Sequence, residues 1–301
     1  MTQRVAMLMT RVRADEKRLI AALTERGAEV EQLRDAYMIF DPHQDAHGRY
    51  DVLLDRSLHM SRSRYVTALF QAAGVPTVNT PSVINLCSNK LRLSTVLNEA
   101  EVPVPAARIA FSPTSAVEAI EQIGYPAVLK PLIGTGGQLV SLIEDRDAAE
   151  AVLEHKATLG SAHHEVFFVE EYIPKPGRDL RATVIAGQVI AVEARTANSW
   201  RISSGPSLKV SPVDAPAAVY DVAMRASRAV AGYVGGVLVV DILEHPERGP
   251  LVTDLNYDVE FRLTEQATGA DVAGAIADFV LSAARRGAHL AGAGAGANAS
   301  E

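Results

Sequence analysis

Residues 126–137 read PAVLKPLIGTGG, an apolar run that ends in a lysine and leads into glycines. The run predicts a buried strand over Ala127–Pro131, because short apolar segments bounded by Gly and Pro are typical of sheet cores. Lys130 lies at the end of this strand, shortly before Gly134–Gly137. Glycines let backbone N–H groups converge on an anion, so a loop over phosphates is one interpretation. The other is an ordinary turn between two strands.

The glycine segment lacks the two best-known nucleotide fingerprints. It has neither the Gly-Lys-Ser/Thr ending of a Walker loop nor the Gly-x-Gly-x-x-Gly spacing of a dinucleotide-binding turn. A nucleotide site here therefore needs support from elsewhere in the chain.

Acidic and amide side chains follow two apolar strands near the other end of the chain. Asp241 closes VLVVD, and Asp254 and Asn256 alternate along LVTDLN, which places both on one face of the strand. Two carboxylates and an amide oxygen are hard ligands of the kind that Mg²⁺ takes when it bridges nucleotide phosphates. Polar residues in turns at strand ends are the alternative interpretation.

The segment VEEYIPKPGRDLR (169–181) lies between these two constellations. It runs from an apolar strand through Glu170, Glu171 and Tyr172 to a Pro-Gly break and then Asp179. Backbone groups of such a hinge strand can hydrogen-bond adenine, and a carboxylate beyond it can accept hydrogen bonds from ribose hydroxyls. A solvated strand end with paired charges is the alternative, above all for Glu170.

Working outward, apolar runs alternate with helical patterns from the start of the chain. The pattern predicts a strand over 5–9, a helix over 15–26 with Asp15 as a possible N-cap, and an α/β layer with parallel strands to residue 86. Strands at 180–186 and 189–194 around Gly187 indicate an antiparallel hairpin. A helix is expected over 272–286, followed by a flexible tail.

Composition narrows the class of protein. The chain has 301 residues, 48% hydrophobic and 22% charged, with a net charge of −7. This is globular composition with no general attraction to nucleic acid or anionic membrane. A single cysteine, Cys87, excludes a disulfide framework within the chain and fits a reducing cytoplasm. The start lacks a signal-peptide pattern, and no apolar run approaches the ~20 residues of a membrane span.

Several ordered segments together resemble the ATP-grasp ligases, specifically the LysX/RimK group. The stretches that carry the likeness are TRVRADEKRLIAAL (10–23), GVPTVNTPSVINLCSNKL (74–91), LKPLIGTGGQLVSLI (129–143), VEEYIPKPGRDLRATVIAG (169–187), SWR (199–201) and VVDILEHPERGPLVTDLNYDVEF (239–261). The resemblance implies an N-terminal α/β domain over 1–86 and two α+β subdomains, 87–174 and 175–288, that clamp ATP. Residues 289–301 would form the tail.

By the same resemblance, the chain is an ATP-dependent carboxylate–amine ligase that uses Mg²⁺. The metal ligands would be Asp241, Asp254 and Asn256, and Arg201 and Lys130 would be catalytic. The nucleotide would be bound by Lys90, Lys130, Gly134, Thr135, Gly136, Gly137, Glu171, Tyr172, Asp179 and Arg201. Substrates would be bound by Ser203, Gly205 and Glu260.

The chain departs from the family pattern at two places. Asp254 replaces the family's metal-binding glutamate and shortens its reach by one methylene. In SWRISSGPSLKV, Ser203, Ser207 and Leu208 stand where the family usually carries an asparagine and a glycine pair. These changes favour altered substrate specificity over lost activity, because both lysines and all three oxygen-bearing ligands remain.

Glu260 and Phe261 match a Glu-Phe pair of LysX-type enzymes, and this match favours LysX over RimK. LysX-type enzymes join amino acids to a small acidic carrier protein, so the resemblance implies such a carrier and an amino acid as partners, and a homo-oligomer (dimer or tetramer). Two alternatives stay open: a ligase for two free small molecules, and a nucleotide-binding homologue without catalysis.

Overall fold

The computed structural model describes residues 2–41, 49–134, 138–160, 165–202 and 207–297. The chain first builds a parallel sheet with strand order β2-β1-β3-β4. Its elements are β1 (Arg4–Met9), α1 (Ala14–Glu25), β2 (Glu29–Arg34), β3 (Val52–Arg56), α2 (Met60–Ala72) and β4 (Thr77–Val78). The predicted parallel α/β layer is therefore confirmed, although no strand was predicted at β2.

Two helices connect this layer to a second, four-stranded antiparallel sheet with order β5-β8-β6-β7. The elements are α3 (Pro81–Cys87), α4 (Lys90–Glu99), β5 (Ala107–Ala110), α5 (Pro113–Ile123), β6 (Ala127–Pro131), β7 (Ser141–Ile143), α6 (Arg146–Leu159) and β8 (Phe167–Glu171). Helices α5 and α6 cover one face of this sheet with a small apolar core.

A third sheet of five antiparallel strands has the order β11-β10-β9-β12-β13. Its elements are β9 (Asp179–Ile185), β10 (Gln188–Thr196), β11 (Lys209–Pro212), α7 (Ala217–Ala231), β12 (Val237–His245), β13 (Gly249–Asn256), α8 (Arg262–Thr268) and α9 (Val272–Ala297). The predicted hairpin is confirmed: β9 and β10 pair across a turn in which Ala186 and Gly187 both have positive φ.

The largest apolar core joins the first sheet to the third. Ile185 of β9 and Val237 and Val239 of β12 pack with helix α9 and with strands β1 and β3. The opposite face of the third sheet is covered by α3, α4 and α7. Because strand residues alternate between faces, Arg181 and Asp241 share the face of Ile185 and Val239 and lie where that face emerges from the core.

Buried charges fasten the first layer to the segment that follows β13. The Arg56 guanidinium binds Glu16 at 3.0 Å and donates to the carbonyl of Val259 at 3.0 Å, and both charged side chains are buried. A buried guanidinium needs this full set of partners to offset its lost hydration. The contact fixes the orientation of the first layer against residues 257–260.

Two details of the first and last helices differ from the predictions. Helix α1 begins one residue earlier than predicted, with Arg13 at the N-cap; Asp15 lies inside the first turn and accepts a hydrogen bond from the Arg262 backbone instead. Helix α9 continues to Ala297, through part of the predicted tail, because a helix already held in the core by residues such as Val280 and Ala284 extends more easily than a new helix begins. Among the described helices, none is long and apolar enough to span a membrane.

Candidate active site

A cavity of about 740 Å³ opens where the three sheets meet. It brings together every predicted site residue that the structure describes: Lys90, Lys130, Gly134, Glu171, Tyr172, Asp179, Arg201, Asp241, Asp254, Asn256 and Glu260. The remaining predicted residues lie outside the described residues: Thr135, Gly136, Gly137, Ser203 and Gly205. Residues up to 170 positions apart in the sequence thus form one site.

Two lysines line the cavity, one from α4 and one from β6. Lys130, at the end of β6, contacts the buried Glu170 carboxylate and donates to the Thr253 hydroxyl at 2.8 Å. Lys90 begins α4 and its Nζ lies 2.9 Å from Asp254 Oδ2. Burial disfavours the charged form of Lys90, but Asp254 outweighs it, so the pKa of Lys90 is raised. The Lys90 ammonium is therefore held in its charged form, which is the form that binds phosphate.

The three predicted metal ligands lie on two adjacent strands. Asp241 of β12 and Asp254 of β13 are direct cross-strand partners, and Asn256 Nδ2 donates to Asp241 Oδ2 at 3.1 Å. Their carboxylate and amide oxygens form a hard donor set that fits Mg²⁺. Among the described residues, no group of three or more Asp, Glu, His or Cys could hold a metal, so a metal here needs the oxygen of Asn256 or groups from the nucleotide.

The predicted hinge residues contact the second and third sheets. Glu171 Oε1 accepts hydrogen bonds from the Ala106 backbone at 2.7 Å and from Arg248 at 2.6 Å. The Tyr172 ring meets the Trp200 ring edge to face, with 6.3 Å between centroids. This leaves an aromatic wall beside the hinge, which suits a planar base.

Asp179 lies just past the hinge, at the start of β9, and pairs with Lys175. Burial raises the pKa of Asp179 to about 6, although Lys175 acts in the opposite direction. Above that pH the carboxylate is ionised and can accept hydrogen bonds from hydroxyl groups.

Arg201 follows β10 and reaches across the cavity. Its Nη1 donates to the Val140 carbonyl at 3.1 Å, so the arginine contacts the segment that directly follows the glycine-rich loop. Arg201 also lines the cavity.

The far end of the cavity lies between the first layer and the chain after β13. Arg13 Nη1 binds Glu260 Oε1 at 2.8 Å, and Nη2 of the same guanidinium binds Glu16 at 2.8 Å. The Glu260 side chain is 69% exposed. It is therefore accessible to a substrate amine, and its arginine partner is held by a buried carboxylate.

Several cavity residues were not predicted as site residues: Arg13, Lys175, Arg181 and Arg195. A signal for two of them exists in the sequence. Arg181 follows Asp179 at a spacing of two, and Arg195 stands in the otherwise apolar strand QVIAVEART at a spacing of two from Glu193. Alternating charges in an apolar strand predict a charged sheet face.

Three sheets clamped around a cavity with two fixed lysines and a carboxylate pair define the ATP-grasp class of ATP-dependent carboxylate–amine ligases. The chain belongs to the LysX/RimK family of that class: a LysX preATP-grasp domain matches residues 5–86 and a RimK-like ATP-grasp domain matches residues 87–280. The resemblance seen in the sequence is thereby confirmed.

Similar sequences and a similar solved structure agree with this family. The chain is 33% identical to the glutamate–LysW ligase ArgX of Sulfurisphaera tokodaii, over 92% of this chain and 98% of the relative. It is 25% identical to the alpha-aminoadipate–LysW ligase LysX of Saccharolobus solfataricus, over 86% and 94%. A RimK-domain ATP-grasp protein of Sphaerobacter thermophilus superposes with a TM-score of 0.78 at 33% identity, over 92% of this chain and 99% of the other.

Proposed function

We propose that this ligase joins an acidic amino acid, through its amine, to a carboxylate of a small carrier protein. The proposal is supported by the two groups of relatives, which act on glutamate or alpha-aminoadipate and on the carrier LysW. From the resemblance of the motifs to LysX-type ligases, we infer that the carboxylate belongs to a terminal glutamate of the carrier.

One observation carries the chemistry: both lysines, the Asp241–Asp254 pair and Arg201 line a single cavity. Lys90 and Lys130 bind the phosphates of ATP, and Asp241, Asp254 and Asn256 hold Mg²⁺. A metal bound by these residues would supply charge neutralisation at the transferring phosphoryl group. In this arrangement the carrier carboxylate attacks the γ-phosphate of ATP. The products of this step are an acyl phosphate and ADP.

The second half of the reaction takes place at the far end of the cavity. The amine of the amino acid attacks the acyl carbon and displaces phosphate, with Glu260 binding the amine and Arg201 steadying the phosphate oxygens. Because water would hydrolyse an acyl phosphate, the glycine segment 134–137 serves as a lid. Ser203 and Gly205 border the substrate. The subdomain boundaries near residues 86 and 174 let the two sheets that clamp ATP move separately.

The test is an incubation with ATP, Mg²⁺, a carrier ending in glutamate, and single amino acids. Intact-mass spectrometry should show the carrier heavier by one glutamate or alpha-aminoadipate, with one ADP released per carrier modified. A carrier lacking its last residue should gain nothing. ADP release with free carboxylates but never with carrier would refute the carrier assignment and favour the ligase for two free small molecules.

Matched variants connect the activity to the cavity. Asp241→Asn should abolish both ADP release and carrier modification. Arg146→Met removes an exposed cation that pairs with Glu121 and Glu150 outside the cavity, and should leave both unchanged. Full activity in the Asp241 variant would contradict the proposed metal site.

A further inference from the structure

Four charged residues form a row across the third sheet. Glu193 of β10 is the cross-strand partner of Arg181 of β9, Arg181 is the partner of Asp241 of β12, and Asp241 is the partner of Asp254 of β13. Direct cross-strand partners project from the same face, with Cβ atoms about 5 Å apart. Arg181 therefore stands between two carboxylates, one at the candidate metal site and one away from it.

Arg181 contacts both oxygens of the Asp241 carboxylate. Its Nε lies 2.6 Å from Oδ1 and its Nη2 lies 3.0 Å from Oδ2. This bidentate pairing uses the same oxygens that a divalent cation needs. A cation bound by Asp241 would also repel the guanidinium, whose side chain is only 15% exposed, so Arg181 needs another anion when the metal binds.

Glu193 supplies that anion. The residue is completely buried, and its Oε1 accepts a hydrogen bond from Arg195 Nε at 2.6 Å. Its Oε2 is buried and has no hydrogen-bond partner within the described part of the chain. A buried carboxylate oxygen without a donor is costly, which makes it a ready acceptor for the neighbouring guanidinium.

The surrounding charges agree with this role. Burial, followed by the charge of Arg181, lowers the pKa of Arg195, so the two guanidinium groups repel each other and Glu193 lies beside both. The pair of Glu193 with Arg195 can stay intact while Oε2 receives Arg181, because the two arginines use different oxygens.

We propose that Glu193 is a positioning residue for the metal site: Arg181 pairs with Asp241 in the metal-free enzyme and transfers to Glu193 Oε2 when a divalent cation binds Asp241. The inference rests on the metal ligands assigned under the proposed function. Glu193 touches neither metal nor substrate and acts only through Arg181.

The test measures Mn²⁺ binding to the full chain by electron paramagnetic resonance, without nucleotide. Glu193→Gln keeps the shape of the side chain but removes its charge, and should weaken Mn²⁺ binding at least about tenfold, because Arg181 then lacks a counter-ion in the metal-bound state. Glu244→Gln, on β12 and paired with exposed Arg178 outside the cavity, is the matched control and should bind Mn²⁺ as wild type does.

A second background isolates the role of Arg181. In Arg181→Met protein no guanidinium has to move, so adding Glu193→Gln should change Mn²⁺ affinity less than twofold. The proposal is overturned if Glu193→Gln weakens Mn²⁺ binding as much in Arg181→Met protein as in wild type. It is also overturned if the single Glu193→Gln variant binds Mn²⁺ with wild-type affinity.

A crystal structure of wild-type protein with Mn²⁺ gives an independent answer, even if the Glu193 variant does not fold. Arg181 should lie within hydrogen-bond distance of Glu193 Oε2, and an Arg181 still bidentate on Asp241 would refute the transfer. Asp241→Asn separates failure of the metal assignment from failure of the role of Glu193. If Asp241→Asn leaves Mn²⁺ affinity unchanged, the metal assignment itself fails. If Asp241→Asn loses Mn²⁺ binding but Glu193→Gln does not, only the role of Glu193 is refuted.

Discussion

Replacing Lys130 by methionine should separate nucleotide binding from folding. Lys130 Nζ contacts Glu170 and the Thr253 hydroxyl and faces the cavity. A charge-assisted hydrogen bond contributes about 1.5–3 kcal/mol, and about 1.4 kcal/mol is a tenfold change in affinity. Loss of one phosphate contact should therefore weaken ATP binding by roughly 10- to 150-fold.

The same substitution leaves the Glu170 carboxylate, which is 5% exposed, without its cation. Removing one partner of a buried pair destabilises a protein by about 3–5 kcal/mol. Adding Glu170→Gln removes the unpaired charge, so the double variant should recover most of the stability but none of the ATP affinity. That difference identifies the lysine as a phosphate ligand as well as a structural cation.

Calorimetry with a non-hydrolysable ATP analogue measures the affinity, and urea unfolding measures the stability. Arg146→Met is the control, because its ion pairs are exposed and such pairs contribute at most about 1 kcal/mol. If the double variant folds normally and binds the analogue with wild-type affinity, Lys130 does not bind phosphate and the assignment of the glycine segment loses its main support.

Three further predictions concern stability and are checked by urea unfolding. Arg56→Met should cost about 1.5–3 kcal/mol, because the fully buried Glu16 loses one of its two arginine partners, 3.0 Å away, and keeps Arg13; an unchanged midpoint would contradict this. Gly235→Ala should cost more than about 1 kcal/mol, since φ is +77° and a Cβ would lie 2.7 Å from the Ala186 backbone; a neutral result would be inconsistent with that contact. Burial raises the pKa of Asp55 to about 6, so its contribution to stability is present below about pH 4 and is lost as the pH rises to about 6. Asp55→Asn should flatten the plot of unfolding free energy against pH between about pH 4 and 6, and an identical slope in the variant would exclude Asp55 as its source.

Much of the site was predictable because its residues stand at the ends of recognisable strands. The strand Ala127–Pro131 was predicted with its observed bounds, and the alternation of Asp254 with Asn256 correctly indicated a shared face. The short strands β5, β7 and β11 were missed, because runs of three or four residues carry too little periodicity to identify. The subdomain boundaries and the individual ligand roles stay predictions.

The sequence by itself determined the class of protein, because the order of its motifs and the type of each chemical group depend only on the chain. Only the tertiary structure decided which charges meet. Lys90 and Asp254 lie 164 positions apart, and Arg181 and Asp241 lie 60 apart. Strand order and register place Glu193, Arg181 and Asp241 in one row. The strand QVIAVEART shows that Glu193 is a charge in an apolar strand, but its partners across the sheet leave no local pattern, which is why its place beside Arg181 was identified only from the structure.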